Sequence, residues 1–338
     1  MIILRPARLS DISYLERLAK ESGTMVSTLP DNRDYLLEKI ERSIDSFADE
    51  VICPGEEAYF FVLEESETGQ VVGTGAVRAL SGYRMPFYAF RNDVLIHSSR
   101  ELNVHSRVHA LSLTHDLSDH SQLCTFYVVD SLLETIYPAL VTLGRLLFMS
   151  VEHQRFAPEW MAVLPGVCDE NGRAPFWEHV GRKFIGVEYD QVEFYNGTKD
   201  GTFIAELMPH YPLYVPLFAE EAQAVMGQVH PKAELQCNLL SCQGFEPDKY
   251  IEIFDGGPIL SARANTLNIW QQQQQSRVEI DDVVAAEGEK RLIGFYSAEG
   301  FCACVARVQY QHNELIIDQR TADETGISSG QTAWHLVI

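Results

Sequence analysis

The chain has 338 residues, 46% of them hydrophobic, enough for two domains or for one domain with appendages, and it fits neither a disordered nor a fibrous class. It carries 26 Lys and Arg against 48 Asp and Glu, a formal net charge of −22, which repels phosphate backbones and argues against nucleic acid as a partner. Such acidity speaks first for solubility and second for a cationic small substrate.

Ile2–Pro6 reads as a strand. Ser10 is a plausible N-cap for a helix with Ile12, Leu15, Leu18 and Ala19 on one stripe. A second amphipathic helix covers Asp31–Phe47, followed by strands at Glu57–Glu64 and Val71–Leu80. Strands are expected at Phe87–His97, Val108–His115 and Gln122–Val129, the last leading into an apolar helix that ends at Gly144–Ser150. A strand at Met161–Val167, a turn at Asp169–Gly172 and a helix opening at Pro175 follow. Phe203–Leu207 reads as a strand, Ala219–Met226 and Pro231–Cys242 as helices, and Gly244–Asp255 as a strand region closed by the turn Asp255-Gly256-Gly257-Pro258. The glutamines of Gln271–Gln275 are the clearest composition break and read as a linker or an exposed helix end. Short β-type runs follow it.

The seven cysteines have no regular spacing and fit reduced core thiols better than a disulfide framework. The histidines at 97, 105, 109, 115 and 120 match no zinc-type ligand pattern, so no metal is expected. There is no secretion signal at the start and no apolar stretch long enough to span a bilayer, so a cytoplasmic protein that does not engage membranes is expected.

Several ordered blocks converge on one family. They are Pro86–Asn92 running on to His97–His105, Cys168–Gly172 with Pro175-Phe176-Trp177, Phe203–Pro209, Gly227–Pro231 and Ile253–Pro258. Over about residues 1–265 the chain resembles the arginine N-succinyltransferases, and its tail and helix-entry loop look most like the alpha-type subunit of the two-subunit form. The resemblance implies an α/β (α+β) fold, an acyl-CoA N-acyltransferase-like mixed sheet flanked by helices. The expected division is 1–200 for that domain, 201–268 for a family-specific C-terminal extension packed on it, and 277–338 for a small β-rich appendage. The implied reaction moves succinyl from succinyl-CoA to the α-amino group of L-arginine in arginine catabolism, in a hetero-oligomer with a homologous beta-type subunit.

That chemistry needs a proton acceptor for the amine, a backbone N–H for the thioester oxygen, and a glycine-rich turn at a helix N-terminus for the coenzyme pyrophosphate. The strand backbone at Phe126, Tyr127 and Val128 is the expected coenzyme-binding segment. The loop after it is degenerate. Where the family's arginine and glycines belong, this chain has Leu133, Glu134, Thr135, Ile136 and Pro138, and Pro138 has no N–H to offer. Val163 and Pro165 likewise stand where the family carries glutamate and usually arginine. Succinyl-CoA is thus a co-substrate rather than a resident cofactor, and this chain is not expected to bind it unaided.

For catalysis the candidates are His97, Glu101 and His105, with Arg91, Asn92, Ser99, Arg100, Asp169 and Glu170 around the arginine or the succinyl carboxylate. The alternative for 97–105 is a structural loop, and for Asp169-Glu170 a tight turn. For the whole chain the rivals are a self-sufficient enzyme with another coenzyme loop and a silent scaffold or arginine-sensing subunit.

Overall fold

The computed structural model describes residues 1–169, 172–199, 201–283 and 288–338. Its strands are β1 (Ile2–Pro6), β2 (Ala58–Glu65), β3 (Val71–Arg78), β4 (Ala89–Ser99), β5 (Val104–Thr114), β6 (Ser121–Val128), β7 (Glu159–Val163), β8 (Leu213–Tyr214), β9 (Glu246–Ile251), β10 (Pro258–Arg263), β11 (Gln274–Ile280), β12 (Glu289–Ser297), β13 (Gly300–Gln311), β14 (Glu314–Ile317) and β15 (Thr332–Val337). All belong to one mixed sheet in the order β12-β15-β11-β14-β13-β1-β2-β3-β6-β7-β10-β9-β4-β5-β8. This is an acyl-CoA N-acyltransferase-like architecture, with parallel β6 and β7 at its centre.

Helices cover both faces of the middle of the sheet, which explains the apolar run Tyr59–Leu63. Tyr59, Phe61 and Leu63 face α3 (Tyr137–Val151), a helix buried on nearly every side. Phe60 and Val62 face α1 (Ile12–Ser22) and α2 (Arg33–Ala48), whose Leu15, Leu18, Leu36 and Ile40 fill the other core. Ser10 does not cap α1. A short 3-10 turn over Leu9–Asp11 precedes the helix, and the Asp11 carboxylate accepts from the Arg8 N–H at 2.8 Å.

The Gln run is not a linker. Its first residues end the helix Asn268–Gln272, and Gln274 and Gln275 pair with His335 and Trp334 in β11. Nor is the tail a separate appendage. β13 pairs with β1, and Leu292, Phe301, Ala303 and Leu336 pack into the α3 core. The extension also shares a core with the first 200 residues, because Phe90, Leu111 and Trp177 pack with Ile204, Met208 and Phe254.

Phe203–Leu207 is helical within Thr202–Leu207, not a strand. Ile204 and Met208, four apart, bury on one side while Leu207 stays exposed. Several elements have no counterpart in the reading from sequence, among them the helix α5 (Tyr189–Thr198; α4 is the single turn Arg182–Ile185), the strands β8, β10 and β11, and the helix Gln319–Thr325. The cysteines are free, but only Cys124, Cys302 and Cys304 are buried, while Cys53 and Cys242 are exposed. Among the described residues no helix is long and apolar enough to cross a membrane.

Candidate active site

The site forms where the central parallel strands part. β6 and β7 pair only over Ser121–Leu123 with Trp160–Ala162. On its other edge β6 bulges, because Ala76 faces Cys124 and Thr74 faces Tyr127, leaving Thr125 and Phe126 against Gly75 alone. Thr125 has φ 56°, an unusual backbone for a β-branched residue. Beneath the bulge lies the fully buried Arg145 of α3, donating to the carbonyls of Cys124 at 2.9 Å and Ala76 at 3.1 Å. A glycine is needed at 75, since a Cβ there would stand 2.8 Å from Arg145 Nε.

The gap between the parted strands is a cavity of about 160 Å³. One wall is acidic. α5 presents Tyr189, Glu193, Asn196 and Gly197 on one face by helical spacing. The β9–β10 turn adds Glu252 and Asp255. Asp255 is held by the N–H groups of Gly166 at 2.6 Å and Gly257 at 2.7 Å, and Glu252 by those of Phe254 at 2.5 Å and Asp255 at 2.8 Å. Tyr189 Oη donates to Asp255 at 3.5 Å. Among the described residues none of these three carboxylates forms an ion pair with Lys or Arg. Burial raises all three, Glu193 to about 8, Asp255 above its usual range and Glu252 well above it. Three acids lining one pocket favour a bound cation over mutual repulsion.

The facing side carries Arg78 of β3, directly across the ladder from Gln122. Gln122 is buried, and its Oε1 has no hydrogen-bond partner. A buried amide acceptor left open at a cavity is a place where a ligand donor gains a full bond. The cleft is thus lined by acids, a guanidinium and a buried amide oxygen with no partner.

Several amides of the loop between β6 and α3 bond within the loop itself. Leu132 N–H bonds to the Val129 carbonyl at 2.9 Å, Leu133 to Asp130 at 3.3 Å and Thr135 to Leu132 at 3.1 Å. Tyr137 N–H goes to Thr135 Oγ1 at 3.3 Å, and Pro138 occupies the first turn of α3. Glu134 is exposed beside it.

Of the candidate catalytic, substrate-binding and coenzyme-binding residues, Phe126 alone lines the cavity among the described residues, and Tyr127 and Val128 continue β6 beyond it. His97, Ser99, Arg100, Glu101 and His105 lie instead at the far end of the β4–β5 hairpin, where they are exposed or half-exposed. Ser99 Oγ accepts the Leu102 N–H at 3.3 Å, a turn contact. Arg91 is paired with Asp93 and Asp116, both at 3.0 Å, and Asn92 Oδ1 lies 2.9 Å from His109 Nδ1. Asp169 accepts the Arg173 N–H at 2.9 Å in its turn, and Glu170 falls outside the described residues. Val163 and Pro165 do line the cleft. Glu193 and Glu252 gave no sequence signal of their own. Asp255 did carry one, the Asp-Gly-Gly-Pro run, but it reads equally well as a turn.

Comparison with known proteins decides the lineage. A family profile described as "Arginine N-succinyltransferase beta subunit" matches residues 2–269. The arginine N-succinyltransferase subunit alpha of Pseudomonas aeruginosa is 42% identical over 331 residues, covering 98% of both chains. The chain belongs to the arginine N-succinyltransferase family. The arginine N-succinyltransferase of Yersinia enterocolitica is 37% identical over 98% of this chain and 96% of that one. A solved structure of the arginine/ornithine succinyltransferase subunit AI from Pseudomonas aeruginosa superposes with a TM-score of 0.91 at 38% identity, over 100% of this chain and 98% of that one. The family assignment therefore includes the tail beyond residue 269, which the profile does not reach.

Proposed function

We propose that this chain is the alpha-type subunit of a cytoplasmic arginine N-succinyltransferase and that it holds L-arginine in the β6–β7 cleft. A homologous beta-type subunit with an open coenzyme loop supplies succinyl-CoA. The observation that carries this reading is the trio Glu193, Glu252 and Asp255, two buried and Glu252 half-buried around a cavity, with no Lys or Arg paired to them among the described residues. A guanidinium is planar, permanently charged and rich in donors, and it satisfies several carboxylate oxygens at once. Arg78, opposite, suits the α-carboxylate, and Gln122 Oε1 can accept from the α-amino group.

In the transfer, the neutral α-amine attacks the thioester carbonyl. A C–N bond forms, the C–S bond breaks, and the coenzyme leaves as its thiol. A carboxylate of the trio that the guanidinium leaves free is suited to take the ammonium proton, because burial raises all three above their usual range. The self-bonded loop at Leu132–Tyr137 is why the coenzyme is assigned to the partner.

Calorimetry on the isolated chain tests the division of labour. Arginine is expected to bind and succinyl-CoA is not, with turnover only after the beta-type homologue is added. Micromolar succinyl-CoA binding by the lone chain defeats the reading. Arginine binding without turnover in any combination favours the sensing subunit, which the closed loop also allows.

A further inference from the structure

We propose that Lys39 ends a proton relay that runs from the β6–β7 cleft, through the hydroxyls of Thr28 and Thr125, to a small cavity beside α2. The inference rests on the substrate reading above. An α-ammonium that becomes an amide N–H sheds two protons as the C–N bond forms and the thioester C–S bond breaks. The departing thiolate collects one and becomes the thiol, and the other must reach solvent. A carboxylate that the guanidinium leaves free takes one proton from the nitrogen, and the relay takes the second.

Thr28 and Thr125 both line the cleft. Thr28 lies between α1 and α2, and Thr125 sits in the bulge of β6. Thr125 Oγ1 donates to Thr28 Oγ1 at 3.1 Å, while its other contacts, the Thr28 carbonyl at 3.5 Å and Cys124 Sγ at 3.6 Å, are longer. Lys39 Nζ completes the chain with its bond to Thr125 Oγ1 at 2.6 Å. A hydroxyl both donates and accepts, so the chain can run in either direction. With Lys39 neutral, Thr28 hands a proton to Thr125 and Thr125 hands one to Nζ. Lys39 itself does not touch the substrate and acts through the two threonines.

The fold delivers a neutral amine to this point. Leu36 and Ile40 bury the inner side of α2, which brings Nζ to 4.6 Å from the centre of the Phe60 ring. The polar groups facing it are Tyr35, Glu38 and Arg42 of α2, Arg78 of β3 and Cys124 of β6. Glu38 is paired with Arg42 at 2.9 Å, and among the described residues no carboxylate pairs with Lys39. Burial lowers Lys39 to about 7 against the pull of Cys124, and Arg78 and Arg42 add to the lowering. Beside Nζ is a cavity of about 30 Å³, room for about two waters. Glu38, on its wall, is exposed, so a proton accepted from the cleft discharges on the outer side of α2.

Steady-state kinetics of the full chain with its beta-type homologue test the relay. Wild-type kcat is expected to rise through about pH 7. Thr28→Val and Lys39→Met should each lower kcat about 100-fold and lose that limb, with KM for arginine unchanged. The double variant should be no slower than either single one, because both cut one path. Thr28→Ser keeps the hydroxyl and should keep the wild-type profile. A Thr28→Val enzyme with wild-type kcat, a Thr28→Ser enzyme as slow as Thr28→Val, or losses that multiply in the double variant would each overturn the relay. Arginine calorimetry on the same proteins separates this failure from that of the substrate reading. A wild type that does not bind arginine, or does not turn over, brings down both. Arginine binding and turnover with an unchanged pH limb in Lys39→Met bring down the relay alone.

Discussion

Lys39 of α2 donates from Nζ to Thr125 Oγ1 at 2.6 Å, tying a helix to the bulge of β6. The same ammonium reaches the Thr28 carbonyl at 2.6 Å and lies 4.6 Å from the centre of the Phe60 ring. Thr28 Oγ1 in turn accepts the Thr125 N–H at 3.0 Å, so Thr125 is held from both sides in its left-handed conformation. Burial lowers Lys39 to about 7. An unfolded lysine keeps its proton to about 10.4. Between those values the unfolded chain binds more protons, so stability rises with pH, while below them the burial penalty is fully present. Urea midpoints of the wild type should rise from pH 7 to pH 9.5, and Lys39→Met should flatten that rise. A parallel slope in the variant would exclude Lys39 as its source.

Arginine binding should release protons. Burial raises Glu193 to about 8, so at pH 7 it is largely protonated in the empty cleft, and a guanidinium needs it ionised. Affinity should therefore climb as pH rises toward 8 and level off above it. Binding enthalpies in two buffers of different ionisation heat would reveal the release. Glu193→Gln should reduce it, leaving the share of Glu252 and Asp255, and weaken binding roughly 10- to 100-fold, the loss of one charge-assisted hydrogen bond of about 1.5–3 kcal/mol.

Gly75→Ala places a Cβ 2.8 Å from both Arg145 Nε and Val141 Cγ1. Neither neighbour has room to withdraw, because Arg145 is fully buried and Val141 belongs to the α3 core. A destabilisation of about 1–3 kcal/mol is expected from such overpacking. Chemical denaturation reads it directly, and a neutral result would show that the bulge relaxes.

The tail is clipped to the start of the chain by an ion pair of 2.6 Å between the Met1 ammonium and Glu324. Its hydrogen bonds to the ammonium, Ser66 and Arg320 lower Glu324 to about 2. An unfolded glutamate titrates near about 4.3. The stability from this pair is present above that value and is lost as pH falls from there toward 2. Glu324→Gln should melt below the wild type at pH 6 and converge with it near pH 2.

Much of the fold was legible. The apolar run at Tyr59–Leu63, the periodicity of α1 and α2 and the strand at Ser121–Val128 are local patterns, and burial on one or both faces writes them directly into residue type. The element at Thr202–Leu207 was not legible, because a six-residue apolar stretch suits either period until a neighbour decides which side is buried. The block His97–His105 is rich in polar side chains suited to catalysis. It belongs to a ribbon leaving the sheet, and nothing in residue type reveals that no third strand covers it.

Sequence by itself determined the family, the alternation of strands and helices, and the loss of a phosphate-friendly turn at Leu133–Pro138, because glycine, proline and apolar spacing act over a few residues. Only the tertiary structure decided that Glu193, Glu252 and Asp255 meet, and that Arg78 and Gln122 face the same cavity. A site of that kind is made by the crossing of α5 with the β9–β10 turn and the parting of β6 from β7. Its members come from segments far apart in the chain, and each carboxylate taken singly is indistinguishable from a solvated surface acid.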